Sequence, residues 1–282
     1  MSYFFESNAQ QFEITYETKN PTTGYHPYIG VSTRIGIYVM YRLQNDSQWL
    51  NINAFAYDSP VCINMSDYVD DDKIYEIMIY APALSTLSKL EVEISDENYA
   101  SIIKEIPENN IIVAGGPISH GVGCTSVNNM FSNILERNLD AYVYHITSSS
   151  KNYLEYVLNF YQEGKSAIAD VIILELDYYG QNESVIEDTL PKIIKILKKR
   201  CKYLIGWYAI PEVKSFKKLI ANNIISKYEE DENMKILDLS FIYDDEFKDM
   251  CTFNNWFIND IGNIIISKEI EECIRGLTIW NI

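Results

Sequence analysis

The stretch Ile111-Ile112-Val113-Ala114-Gly115-Gly116-Pro117-Ile118-Ser119-His120-Gly121-Val122-Gly123 decides the fold. A short apolar run breaks into a glycine-rich loop, after which Ser126 is placed to cap a helix with Val127, Met130, Phe131, Ile134 and Leu135 on its buried face. A strand apolar on both faces and followed at once by a helix is half of a βαβ unit. The same alternation continues to the C-terminus. Strands are expected at Ala141–Ile146, Val171–Leu176, Tyr203–Ile210 and Ile236–Ile242. Helices are expected at Asn152–Gln162, Val185–Lys199, Val213–Tyr228 and Ile261–Ile274, with Pro191 placed to kink the second of them. Five such units specify a parallel, doubly wound sheet, in which ligands bind beyond the carboxyl ends of the strands.

Upstream the period changes. Gly36–Leu43, Trp49–Tyr57, Ile74–Tyr80 and Leu90–Ile94 are short β-rich runs, and Ile35, Ile37, Val39, Tyr41 and Leu43 alternate with a period of two. Turn clusters such as Asn45-Asp46-Ser47 separate them. This spacing without a helical period predicts an antiparallel, jelly-roll-like β-sandwich over residues 1–105, with Ile106–Asn110 as linker and the α/β domain over 111–282.

The 282 residues are 47% hydrophobic, enough to bury a sizeable core without metals or disulfides. With 23 Lys and Arg against 40 Asp and Glu, the formal charge is −17. Such a surface repels phosphate backbones and anionic lipid, so neither nucleic acid nor membrane is an expected partner. The acidic runs Asp70–Asp72 and Glu229–Glu232 lack the ligand spacing of a calcium loop. The five cysteines are scattered, no CxxC occurs, and the N-terminal residues lack the pattern of a secretory signal. A cytoplasmic location follows as the expectation, with no cofactor implied.

The loops after the strands carry the chemistry. They hold Gly115–Gly123, then His145 to Ser150, then Asp177-Tyr178-Tyr179-Gly180-Gln181-Asn182, and, before the last helix, Asn254 to Gly262. Together these stretches resemble the four sequence blocks of the SGNH (GDSL-type) hydrolases, and most closely the branch with a β-sandwich before the catalytic domain. Gly116-Pro117-Ile118-Ser119-His120-Gly121 and Asn259-Asp260-Ile261-Gly262 follow the first and last frames. The resemblance implies a flavodoxin-like, three-layer α/β/α sheet and an acyl-ester hydrolase ancestry. It also implies that the triad is gone. The serine position of the family is Pro117, its aspartate position Asn254 and its histidine position Phe257. Proline supplies neither a hydroxyl nor the backbone N–H that would help hold an oxyanion. Ser150 stands where the family has an oxyanion-donating glycine, and Asn182 where it has an asparagine.

Two functional expectations follow. One is a degenerate hydrolase that binds a small molecule, peptide or protein partner at the strand-end rim, with Ser150, Asn182, Tyr178 and Trp256 as contacts. Trp207 and Tyr208, in the fourth strand of the sheet, add aromatic surface near that rim, and Trp256 with Phe257 would make the former catalytic edge apolar. The other is a rebuilt site, with Cys124 or Ser119 as nucleophile, His120 or His145 as base and Asp177 orienting it. A metal on the two histidines and Asp177 is a variant of the second. The third histidine, His26, lies in the sandwich. The economical alternative gives His120 a structural role and makes Cys124 a small buried hydrophobe.

Overall fold

The computed structural model describes residues 2–19, 29–52, 59–70, 73–95, 97–102, 108–150, 152–164, 167–177, 181–210, 222–228 and 230–278. His26, Tyr178, Tyr179 and most of the expected helix Val213–Tyr228 lie outside them. The chain divides into two compact units, Met1–Ile106 with Thr125–Asn128, and Pro107–Cys124 with Asn129–Ile282.

The first unit contains two antiparallel sheets. One has the order β4-β3-β6-β1-β8, built from β1 (Ser2–Ser7), β3 (Tyr38–Leu43), β4 (Leu50–Asn51), β6 (Tyr75–Tyr80) and β8 (Ala100–Ile102). The other has the order β5-β2-β7, built from β2 (Gln11–Lys19), β5 (Val61–Asn64) and β7 (Thr86–Ile94), and one helical turn, α1 (Val31–Arg34), precedes β3. Phe5, Ile77 and Ile79 from the first sheet share one buried cluster with Phe12, Ile14 and Val61 from the second, which makes the unit a sandwich. The sequence reading missed β1 and β2, although Phe12, Ile14 and Tyr16 alternate inward along β2. The run expected from Trp49 is strand only at Leu50–Asn51, and residues 53–58 are not described.

The second unit is the parallel sheet, in the order β10-β9-β11-β12-β13. Its strands are β9 (Asn110–Gly115), β10 (Tyr142–Thr147), β11 (Ala169–Glu175), β12 (Cys201–Tyr208) and β13 (Met234–Asp238). The first strand of the unit is thus interior, between β10 and β11, as in the flavodoxin-like order. Alternate residues of the strands feed two buried layers. Ile111, Val113, Ile173 and Trp207 pack with helix α2 (Phe131–Leu139) and the C-terminal helix Asp260–Arg275. Ile112, Ile172 and Leu204 pack with α3 (Tyr153–Gln162) and α4 (Glu183–Leu197). Every residue of β11 is buried, which is why its sequence is nearly continuous apolar.

Two expectations need correction. Ser126 does not cap the first helix: its hydroxyl bonds to the Asn128 side chain, Val127–Asn129 forms a 3-10 turn, and α2 begins only at Phe131. Trp207 is no rim residue, since it is fully buried and meets Phe131 edge-on, with ring centroids 5.3 Å apart. No helix among the described residues is long and apolar enough to cross a membrane.

The C-terminal helix is fixed at its start by Asn259, whose side-chain oxygen accepts the Ile261 and Gly262 N–H groups at 2.9 and 3.1 Å. Next to it Gly123 has a φ of +101°, and a Cβ there would come within 1.9 Å of the Ile258 carbonyl oxygen. Both the left-handed backbone and the contact demand glycine. Gly123→Ala is expected to cost at least about 2 kcal/mol, read as a fall in denaturation midpoint at unchanged m-value.

Candidate functional site

The loop after β9 is a tight turn. His120 N–H donates to the Gly116 carbonyl at 3.0 Å, Gly121 N–H to Ile118 at 2.9 Å and Val122 N–H to Pro117 at 2.9 Å. From below, the loop is held by a residue that the sequence reading passed over. Glu175, the last residue of β11, accepts the Gly116 N–H at 3.0 Å and the Ser119 N–H at 2.8 Å on the same carboxyl oxygen. Gly115 makes room for this, because a Cβ at that position would lie 2.6 Å from Ser119 Oγ and 2.7 Å from Glu175 Cβ.

Glu175 is wholly buried. Burial and, next, the neighbouring Asp177 carboxylate raise its pKa to about 8, against the opposing pull of Ser119 and of the loop's N–H groups. The carboxyl is therefore mostly neutral at pH 7. Ser119 Oγ and Glu175 Oε1 are both sealed from solvent, and neither makes a well-aligned hydrogen bond, although the serine lies near enough to influence the carboxyl. Protonation gives Oε1 a donor, which the serine oxygen is able to accept. Trp207, the neighbour of Glu175 across β12, also keeps a sealed ring N–H without a partner.

The other candidate residues go to separate partners. His120 Nδ1 bonds Thr147 Oγ1 at 2.8 Å, and burial lowers its pKa to about 4. His145 Nε2 bonds Ser132 Oγ at 2.9 Å, and burial holds its pKa well below the ordinary value. Both imidazoles are neutral at pH 7. Asp177 accepts the Ala209 N–H at 3.1 Å and the Ile210 N–H at 3.0 Å, tying the end of β11 to the segment that leaves β12. Above it the Tyr153 hydroxyl donates to the Asp177 carbonyl at 2.7 Å. Cys124 is completely buried, and burial, then Asp260, pushes its thiol well above the usual range. Among the described residues no group of three His, Cys, Asp or Glu side chains stands ready to hold a metal ion.

The segment matching the last sequence block has its own geometry. Asn254 and Asn255 adopt φ of 52° and 58°, and they turn the chain between Thr252–Phe253 and Phe257–Ile258, which pair antiparallel as β14 and β15. Asparagine is among the few residues that accept this left-handed backbone. Phe257 is half-buried in β15, and Trp256 stands exposed beside the turn with its carbonyl held by the Tyr243 hydroxyl at 2.8 Å. Ser150 is exposed, and its N–H donates to Ser148 Oγ at 3.2 Å. Asn182 is exposed at the N-cap of α4 and makes no side-chain capping bond.

The signal for Glu175 was present. A lone carboxylate inside the apolar run Val171–Leu176 cannot be buried without donors, so its position at a strand end marks a polar anchor.

No protein-family model matches the chain, and no curated protein matches it in sequence. Solved structures do. A GDSL-like lipase from Bacteroides ovatus superposes with a TM-score of 0.74 at 15% identity, over 97% of this chain and 83% of the lipase. A salicylyl-acyltransferase from a tetracycline biosynthetic pathway gives 0.70 at 13% identity, over 99% and 84%. A family two carbohydrate esterase from Clostridium thermocellum, solved with cellohexaose, gives 0.66 at 8% identity, over 99% and 92%. These likenesses span both the sandwich strands and the parallel sheet, and at such identities they concern architecture: the chain has the SGNH, GDSL-type hydrolase fold.

Proposed function

We propose that this chain is a degenerate SGNH-type protein that binds a ligand, peptide or protein partner and does not hydrolyse esters. The observation that carries this reading is the use Glu175 makes of the first loop. An oxyanion hole needs backbone N–H groups aimed at empty space where charge will develop. In the loop that resembles the family's first block, the Gly116 and Ser119 N–H groups point inward to a carboxyl oxygen, and Pro117 has no N–H. The hydroxyl nearest the family's serine position, Ser119, is sealed from solvent.

A relocated site is the competing reading, and it fits the geometry less well. A serine or cysteine nucleophile must be reachable and must hydrogen-bond a base. His120 and His145 spend one nitrogen each on Thr147 and Ser132, and Asp177 spends its carboxylate on backbone. The binding face we assign is the strand-end rim, with Ser150, Asn182 and Trp256 as contacts; Tyr178, the fourth contact expected from sequence, lies outside the described residues.

Three measurements test this. Wild-type protein is expected to leave p-nitrophenyl acetate at the buffer rate, and turnover that Ser119→Ala, His120→Ala or Cys124→Ala abolished would establish a relocated site instead. With Ellman's reagent the native protein should react at exposed Cys62, while Cys124 should react only after denaturation; rapid native labelling of Cys124 would restore it as a nucleophile. The third measurement is stability against pH. The folded pKa of Glu175 lies above its unfolded value, so its contribution is complete below about pH 4.5 and declines as pH rises toward about 8. Between pH 6.5 and 8 the wild type should lose stability that Glu175→Gln keeps, because the amide retains an acceptor for the two N–H groups and does not ionise. Parallel curves for the two proteins would show that the carboxyl is ionised throughout.

A further inference from the structure

The β14–β15 hairpin is flanked by apolar side chains that the described residues leave about half exposed. Met250 and Trp256 are each 47% exposed, Ile261 43% and Ile264 51%. They belong to one structural knot. The Asn259 side chain donates to the Met250 carbonyl at 2.8 Å, and its backbone N–H donates to the Cys251 carbonyl at 2.9 Å. This joins the segment before the hairpin to the helix start that carries Ile261, and Ile264 follows one turn on. Single exposed apolar residues are ordinary, but several large ones gathered about one rigid turn mark an interaction surface. Trp256 has the character of an anchor, a large side chain on a backbone pinned by Tyr243.

The charge around this knot selects the occupant. From Asp244 to Ile264 the chain carries Asp244, Asp245, Glu246, Asp249 and Asp260 against Lys248 alone. That is about one acidic residue in four, compared with 40 in 282 for the whole chain, about one in seven. Lys248 is already engaged with Asp245 at 3.3 Å. A second copy of this chain, related by a twofold axis, would set these carboxylates against their own equivalents. A fatty-acid carboxylate would meet the same repulsion.

We propose that the hairpin surface docks a cationic peptide segment, with a large apolar side chain of the partner against Trp256 and Met250 and flanking lysines or arginines facing Asp245, Glu246 and Asp249. The inference rests on the reading of this chain as a binding protein and names the chemistry of its partner.

The test is fluorescence anisotropy with a fluorescein-labelled peptide of alternating lysine and leucine, titrated with the full chain. Saturable binding is expected, lost when glutamate replaces lysine in the peptide and also when serine replaces leucine. Trp256→Ala should weaken it about fivefold or more, Asp245→Lys/Asp249→Lys should weaken it and flatten its salt dependence, and Trp256→Phe should restore most of the affinity. Ile261→Ser, on an exposed helix position, gives a second apolar deletion that leaves the turn untouched. Three outcomes would overturn the proposal: no saturable binding, equal binding by wild type and variants (attraction to the acidic surface at large), or self-association in sedimentation that Trp256→Ala abolishes. Hydrolysis of p-nitrophenyl acetate measured on the same samples separates the two levels, since turnover sinks the binding reading, whereas absent peptide binding with no turnover sinks this inference alone.

Discussion

A carboxyl group sealed from water must find donors, and at the end of β11 Glu175 finds them in the backbone of a loop that leaves the neighbouring strand. The next inward-facing acid, Asp177, does the same for the segment leaving β12. The rim of the sheet is thus held by two acids two residues apart, one reaching to each side of the central strands. Burial first, and then the neighbouring Asp177 carboxylate, keep Glu175 largely protonated. Small residues follow from the same requirement: Gly115 is glycine because the carboxyl and Ser119 occupy the space of its side chain.

The residues of the last sequence frame each carry a structural contact. Asn259 caps the C-terminal helix, and Gly262 brings that helix against Cys251, whose carbonyl oxygen would lie 2.7 Å from an added Cβ. Asn263 accepts the first N–H of α2 at 3.1 Å, joining the two helices on that face of the sheet. The Asn259–Gly262 stretch is thus tied to helix capping and close packing, and the positions just before it form a hairpin with asparagines in the left-handed region.

The α/β unit was legible because its strands are short apolar runs separated by helices of clear period, and burial on both faces leaves little room for polar residues. β1 and β2 were overlooked although β2 alternates cleanly, since the composition of Ser2–Lys19 lacks the apolar density of later runs. The start of α2 was misplaced for a local reason. Ser126 satisfies its hydroxyl on Asn128, so a residue of the right type for a cap was spent inside a turn. At the site, the sequence carries only the expectation that Pro117, Asn254 and Phe257 stand at the triad positions of the resembling family, whereas the partners of His120, His145 and Asp177 depend on loops whose geometry no spacing rule gives.

The strand orders of the two units set different timetables for a chain emerging from the ribosome. In the α/β unit the interior strand β9 is made first; β10 adds to one side, and β11, β12 and β13 then add in turn to the other, so no strand has to enter between two that are already paired. In the sandwich, β1 is the earliest segment made, yet its partners are β6 and β8, and β6 must close the gap between β1 and β3. The first strand therefore waits, unpaired, until Tyr75–Tyr80 has been synthesised. During synthesis the sandwich is the part most in need of protection from wrong partners, and the sheet that follows is able to assemble by accretion.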